Sequence, residues 1–384
     1  MAESSANSVR WYGLDLIRLL CFFCIVEFHF GLFYFGEPTT GYTDQSIFIW
    51  AVDWLGHLLM QSGFIIAFLS TLLLSLNKKS GSKAYRLFGV LTLGWLVLSI
   101  QTNSQVWISW DVFGLIFCAI GAALLIEAGV GILGVRIAGC LGYLLLWMPI
   151  WELAPYLHPG FETIKHVLGV ASCEGQEVAE WPLLPWTGLI WFGYWMGAEV
   201  RRIRDSGRLE TLRVGRFEVL VWTLILGSSV PQLGAYLYVR MGAYFSCEAY
   251  RQAPVIFWSH LVWPLALIRL SFDPRIQSRL ARMRWVQTAS NLAISRKFWL
   301  AYLVQYVFGR VVAYALNTWE TLESDSFQLW ELPILEFMAI SIIFQTELWT
   351  RAAEKLLVKI SRWMVSRNDH ANAIIVSPPS GGGA

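Results

Sequence analysis

Residues 13–35 read GLDLIRLLCFFCIVEFHFGLFYF, an apolar run that carries Asp15, Arg18, Glu27 and His29 inside it. A helix needs about 20 mostly apolar residues, at about 1.5 Å each, to cross the hydrocarbon of a bilayer. The run is long enough. It is expected to stay in the mature protein as a helix and not to be cleaved as a leader. Charges lie within the apolar stretch, only Arg10 precedes it, and no small-x-small site follows.

Outward from this stretch, comparable runs lie near 47–76, 84–101, 106–128 and 132–150, then near 183–200, 217–238, 253–271, 297–316 and 328–350. By the length rule these make about ten crossings. The second run is long for one crossing and would begin as an interfacial helix around Trp50 and Trp54. A re-entrant segment is the alternative for the third and the fifth. Composition points the same way. In 384 residues, 56% are hydrophobic and only 15% charged, with 21 Trp and 23 Phe, and mean hydropathy is +0.51. A soluble domain carries about 25% charged residues. Soluble multidomain, disordered, collagen-like, coiled-coil and small disulfide-scaffold classes are excluded, and nothing points to a nucleic-acid partner. The expected class is all-α, a polytopic transmembrane bundle forming one unit over 1–365. Residues 366–384, polar and ending SPPSGGGA, are expected to be a disordered tail.

The net charge of +2 says less than its sidedness. With the amino terminus in the cytoplasm, the inner connections hold Lys78, Lys79, Lys83, Arg86 and Arg136, then the arginines from Arg201 to Arg216, those from Arg275 to Arg296, and the basic tail from Arg351. Only Lys165, Arg240 and Arg251 fall outside, and most acidic residues do. The bias predicts an even number of crossings with both termini cytoplasmic. No solenoid or inverted repeat is visible.

Cys21, Cys24, Cys118 and Cys140 lie within spans, where small-residue packing is the plain reading even of the C-x-x-C pair. Cys173 and Cys247 fall in two outer loops. They are a candidate disulfide if that face is oxidising and geometry allows. No metal site is expected.

Ionisable groups inside a span are costly and become functional candidates. Arg18 and His29 are eleven positions apart, three turns, so both project from nearly one face about 16 Å apart along the axis. Asp15 lies one turn before Arg18 and can pair with it. That face offers an anion clamp at one end and an imidazole, the natural general base near neutral pH, at the other. The plainer alternatives are an arginine reaching lipid phosphate, a histidine bonded within the bundle, and end-of-span snorkelling for Asp15, Glu127, Arg269 and Glu347. Asp53 and His57 are spaced for an acid–imidazole pair, with an interfacial role as the alternative. Arg310, deep in the ninth run, needs an anion: Glu336, Asp111 or a ligand phosphate. His260 has no evident sequence partner, and packing is its plain reading.

The segment Gly13-Leu14-Asp15-Leu16-Ile17-Arg18 followed by His29 resembles the opening helix of the acyltransferase-3 superfamily, a G-L-D-x-x-R segment preceding a histidine at the same interval. Ser62-Gly63-Phe64 is similar to that family's S-G-F/Y, and a basic stretch with Lys83 and Arg86 follows as it does there. Tyr302-Leu303-Val304-Gln305 is like its Y-L-x-H/Q. Pro185-Trp186-Thr187-Gly188 with Gly193 and Gly197 looks like the corresponding helix of heparan-α-glucosaminide N-acetyltransferase-like relatives. The resemblance implies a membrane enzyme moving an acyl group, typically acetyl, from acetyl-CoA or another acyl-CoA to a hydroxyl or amine of a sugar, glycan or lipid. O-acetylation of a polysaccharide is the type. It implies a bacterial inner membrane, His29 as catalytic base or acyl carrier, and Asp15 with Arg18 near the donor, which Ser62, Lys83 and Arg86 would also contact. Asp111, Arg310 and Gln305 are further candidates. Departures are a basic stretch without the dense R-x-x-R and proline, and Gln305 where the larger branch has histidine. The alternative from another class is a proton-coupled secondary transporter or flippase of an anionic or sugar-linked substrate.

Overall fold

A Gly-Val-Gly triplet at 129–131 divides the longest apolar helix of the computed structural model, Val112–Leu145. Gly131 has φ 69° and ψ −152°, a backbone conformation open essentially to glycine alone. The chain reverses there. A Cβ on Gly134 would lie 3.2 Å from the carbonyl oxygen of Ile126, whereas in an unbroken helix eight residues climb about 12 Å. What measures as one helix is a helical hairpin with arms of about 28 Å and about 21 Å. Its division agrees with the two runs expected at 106–128 and 132–150.

The structure describes residues 10–35, 65–77, 89–96, 112–147, 183–227, 254–292, 295, 297–319, 341–356 and 359. Among the described residues the architecture is all-α, without a strand. The helices are α1 (Tyr12–Phe35), α2 (Ile65–Leu76), α3 (89–96), the hairpin α4 (Val112–Leu145), and α5 (Leu183–Asp205). A 3-10 turn, Leu209–Leu212, leads to α6 (216–227). Then come α7 (Pro254–Ser271), α8 (Pro274–Leu280), α9 (Arg284–Asn291), α10 (Phe298–Trp319) and α11 (341–356).

Helix α5 is the axis of one half of the bundle. Its start is set by Pro185: Leu184 is extended (φ −110°, ψ 134°), as a residue before proline tends to be, and proline then fits the first turn. Trp191 Nε1 donates to the carbonyl of Ala119 at 3.1 Å, and Arg201 meets Glu127 at 2.9 Å, so the first arm of α4 runs alongside α5. Gly188 abuts Gly142, Trp195 abuts Gly139, and Glu199 meets Arg136 at 2.6 Å, so the second arm runs back against it. On another side, Gly193 and Gly197 let α2 in. A Cβ at Gly197 would stand 2.2 Å from the carbonyl oxygen of Leu72. Small residues one turn apart bring two backbones together and collect many dispersion contacts.

The other half is built on α1, which packs against α10, α9, α7 and α8. Phe22 meets Phe298 edge-to-face at 5.7 Å. Phe113, at the head of α4, touches Trp299 and Tyr302 of α10 at 5.6 and 5.4 Å between ring centroids and joins the halves. The main apolar core is centred on Leu14, Phe22, Phe68, Leu72, Phe113, Ile190 and Phe298, with a smaller cluster of Ala123, Val135, Tyr194 and Ala198 between α4 and α5. Aromatic pairs at these separations contribute about 0.5–1.5 kcal/mol each beyond area burial.

Several helices also expose large apolar side chains. Leu133, Ile137, Leu141 and Leu144 form an exposed stripe on α4, Phe217, Leu220 and Leu224 one on α6, and Phe344 and Leu348 one on α11. The helical spacing makes each a continuous ridge. By length and composition, the α4 stretch Val112–Leu145, the hairpin just described, is the one candidate membrane-crossing segment among the described residues.

Candidate functional site

Among the described residues, two of the polar clusters built into the bundle lie at the end where α1 begins and α5 finishes. The first lies at the foot of α1. Asp15, in the helix's first turn, is where an acidic side chain is favoured by the unpaired N–H groups and the helix dipole. Arg10 Nε donates to Asp15 Oδ2 at 3.2 Å. The rest of the Arg10 guanidinium holds α9, through Nη1 to Asn291 Oδ1 at 2.7 Å and Nη2 to the Ser290 carbonyl. Arg18 Nη1 stands 3.8 Å from Asp15 Oδ1, and the two side chains are 13% and 15% exposed. That separation is an ion pair without a hydrogen bond.

Among the described residues one carboxylate, Asp15, stands beside two guanidiniums in a largely buried place. Arg18 Nε and Ser290 Oγ are buried with no hydrogen-bond partner among the described residues. An unpaired buried donor costs about 1–3 kcal/mol, more when charged. An anion presented to Arg18 would recover that cost, and a guanidinium is suited to phosphate or carboxylate oxygens.

Surrounding contacts fix the site. Trp11 packs edge-to-face on Phe272 at 5.1 Å, and Tyr12 N–H donates to Gln277 Oε1 at 3.0 Å. Gln277 Nε2 donates to the Ser271 carbonyl. Gly13 is needed for the same crossing, since a Cβ there would fall 2.4 Å from Ser271 Oγ. The glycine of the G-L-D-x-x-R segment thus has a packing reason of its own.

The second cluster joins α4, α5 and α2. Glu127 accepts from Arg201 at 2.9 Å and from the Tyr194 hydroxyl. Arg201 also donates to the Ser75 carbonyl at 2.6 Å, and Arg204 donates to the Leu76 carbonyl at 3.1 Å. Glu127 does not snorkel outward. It is a tie inside the bundle, and so are Arg269, which grips Glu218 at 2.8 Å and the Leu212 carbonyl at 2.8 Å, and Asp15 itself. Glu347 pairs with Arg351 at 2.6 Å along α11.

Of the residues singled out in sequence, Asp15 and Arg18 are brought together as expected. His29 lies on α1 three turns beyond Arg18, with its side chain outside the described residues. Arg310 lies on α10 in the same condition. Gln305 is buried in α10. Ser62, Lys83, Arg86, Asp111 and the Cys173–Cys247 pair are outside the described residues, as are Asp53 and His57. Cys21 belongs to the core, and Cys118 and Cys140 are exposed and unbridged. Among the described residues no group of three or more His, Cys, Asp or Glu side chains is placed to hold a metal.

Arg10, Ser290 and Asn291 are site residues that the sequence did not announce. Arg10 read as the lead of the first run, and α9 is some 280 positions away, a distance no motif spans. Gly188, Gly193 and Gly197 have positions explained by helix packing. No family model matches the sequence, and no curated protein or solved structure is similar to it.

Proposed function

We propose that this chain is an integral-membrane acyltransferase of about ten spans, with both termini cytoplasmic, that takes an acyl group from a coenzyme A thioester. The observation that carries the reading is Arg18: a buried guanidinium whose one carboxylate among the described residues, 3.8 Å away, is shared with Arg10, and whose Nε has no hydrogen-bond partner among them. That is the condition of a cation kept for an anionic ligand. Exposed apolar ridges on α4, α6 and α11 support a lipid surround. The ends of α2 and α5 and the turn at Gly131 meet at one end, the alternation the span count requires.

Arg18 would hold a phosphate oxygen of the donor, with Asp15 setting its direction. His29, about 16 Å further along the helix axis, would take the proton of the acceptor hydroxyl as its oxygen attacks the thioester carbonyl. The C–O bond forms, the C–S bond breaks, and the thiolate leaves to be protonated. The group delivered would be acetyl, and the acceptor a sugar, glycan or lipid hydroxyl or amine.

The test is thiol release from acetyl-CoA by the purified full chain in lipid. Wild type is expected to release thiol slowly without acceptor, His29→Ala to release none, and Arg18→Ala to need much more acetyl-CoA for the same rate. Full activity in His29→Ala ends the catalytic assignment. No release by wild type with any acyl-CoA, alongside proton-coupled uptake of an anion, replaces the enzyme with a transporter.

A further inference from the structure

From Pro274 to Trp319 the chain has no acidic residue, while Arg275, Arg279, Arg282, Arg284, Arg296 and Lys297 crowd its first half. Arg275 is taken by Asp273 at 2.7 Å and Lys297 by Glu354 at 3.2 Å. Arg279, Arg282 and Arg284 have no ion-pair partner among the described residues and are exposed. Met283 stands between Arg282 and Arg284 and Trp285 follows them, 42% and 63% exposed. Helix α9 is firmly seated: Val286 and Ser290 turn inward, and Arg10 holds its end. The exposed guanidiniums thus lie at the end of α8 (Arg279), in the turn after it (Arg282) and at the first residue of the docked α9 (Arg284), next to the exposed indole of Trp285.

The location of this face decides what it meets. Val214 N–H donates to Asp273 Oδ2 at 2.8 Å, and Arg275 donates to the Val214 carbonyl at 2.9 Å. Two residues on, α6 begins, and its exposed ridge of Phe217, Leu220 and Leu224 starts at once. The arginine face thus borders an apolar flank at the polar end of the bundle. Tryptophan is enriched at such a border because its ring is apolar and its N–H polar. Arginine there reaches phosphate with a planar fork.

We infer that the Arg279–Arg282–Arg284 face with Trp285 docks on anionic phospholipid headgroups of the bilayer that holds the chain. The inference rests on the membrane placement and is independent of the acyl-transfer chemistry. Each basic residue near an anionic leaflet strengthens association about fivefold, and three together on the order of 100-fold.

The experiment uses the full chain in detergent, titrated with short-chain phosphatidylglycerol or phosphatidylcholine, with bound lipids counted by native mass spectrometry. Wild type should retain phosphatidylglycerol selectively. The triple variant Arg279→Gln, Arg282→Gln, Arg284→Gln should lose tens-fold or more of that selectivity and keep its phosphatidylcholine binding and melting temperature. The triple lysine variant should keep most of the selectivity, because charge carries the attraction. Glycerol phosphate at equal concentration should not compete, which separates a headgroup in a lipid from a free phosphate. Equal retention by wild type and the glutamine variant, loss in the lysine variant, or displacement by glycerol phosphate overturns the inference. A chain that fails to enter lipid nanodiscs overturns the membrane placement with it, whereas one that enters and binds both lipids alike overturns only the docking face.

Discussion

The α4–α5–α2 junction and the foot of α1 are both arginine–carboxylate clusters in low-exposure settings, and they are built on opposite principles. At the junction Glu127 has Arg201 and Tyr194 as donors, and Arg201 has Glu127 and the Ser75 carbonyl as acceptors. At the foot of α1, Asp15 stands beside both Arg10 and Arg18, and Arg18 Nε and Ser290 Oγ have no hydrogen-bond partner among the described residues. The junction also leaves one buried atom open, the neutral Ser75 Oγ, whereas at the foot of α1 the open atoms include a nitrogen of a charged guanidinium, whose missing acceptor a ligand could supply. The first is scaffold, and the second is the proposed donor site.

Removing one partner from each cluster should separate them most widely. Glu127→Ala leaves Arg201 as a buried, uncompensated cation and is expected to cost about 3–5 kcal/mol, visible as a large fall in melting temperature or in folded yield. Arg18→Ala removes a charge that is already poorly answered, and its stability change should stay within about 1 kcal/mol while donor use collapses. If Arg18→Ala destabilises as much as Glu127→Ala, the foot of α1 is scaffold too.

Next in size are the glycines. Gly197→Ala pushes a Cβ to 2.2 Å from the Leu72 carbonyl oxygen, backbone that cannot rotate away. Such overpacking should cost about 1–3 kcal/mol in thermal unfolding. Gly129→Ala meets nothing within 4 Å and, on a helix, should gain up to about 1 kcal/mol. Opposite signs in the two variants would show that α5 is clamped by α2 while the arm of α4 near its turn is free to accept a side chain.

The contrast also shows what the sequence could and could not carry. Hydropathy located the helices: 13–35 became Tyr12–Phe35, 253–271 became Pro254–Ser271, and the break between the fourth and fifth runs fell at Gly131. Spacing along one helix gave Asp15 with Arg18, because one turn is a local fact. Pairing between helices was not legible. Glu127 looked like an end-of-span acid because Arg201 lies 74 positions away, and Arg10 looked like a flanking cation because Ser290 is 280 positions away. Periodicity tells which face is apolar but not which neighbour it meets.

Asp273 extends the scaffold principle to the polar end and titrates. Its carboxylate caps α8 through Arg275 N–H at 2.8 Å and also accepts from Val214 N–H at 2.8 Å. The Arg275 guanidinium, and then those backbone donors, outweigh burial and hold the Asp273 carboxyl well below the usual range. A depressed folded value means that the stability it contributes is complete above the unfolded carboxylate value of about 3.9 and drains away as pH falls below it. Asp273→Ala should cost about 2 kcal/mol at neutral pH, from the lost cap and the unanswered Val214 N–H. In Asp273→Asn the portion of acid destabilisation below about pH 4 that this carboxylate contributes should disappear.

The smallest effect is the control that gives the others meaning. Arg213 and Glu210 form an ion pair with side chains 56% and 67% exposed, as close as any at the junction. Water already answers both charges, and ordering two long side chains offsets the attraction, so Arg213→Ala should change stability by about 0–1 kcal/mol, less at high salt. Proximity alone would rank this pair with Glu127–Arg201; desolvation ranks it far below. A loss at Arg213 comparable to that at Glu127 would mean that α5 and the turn after it are held by net charge and not by buried partners. The unanswered Arg18 Nε would then lose its standing as a mark of function.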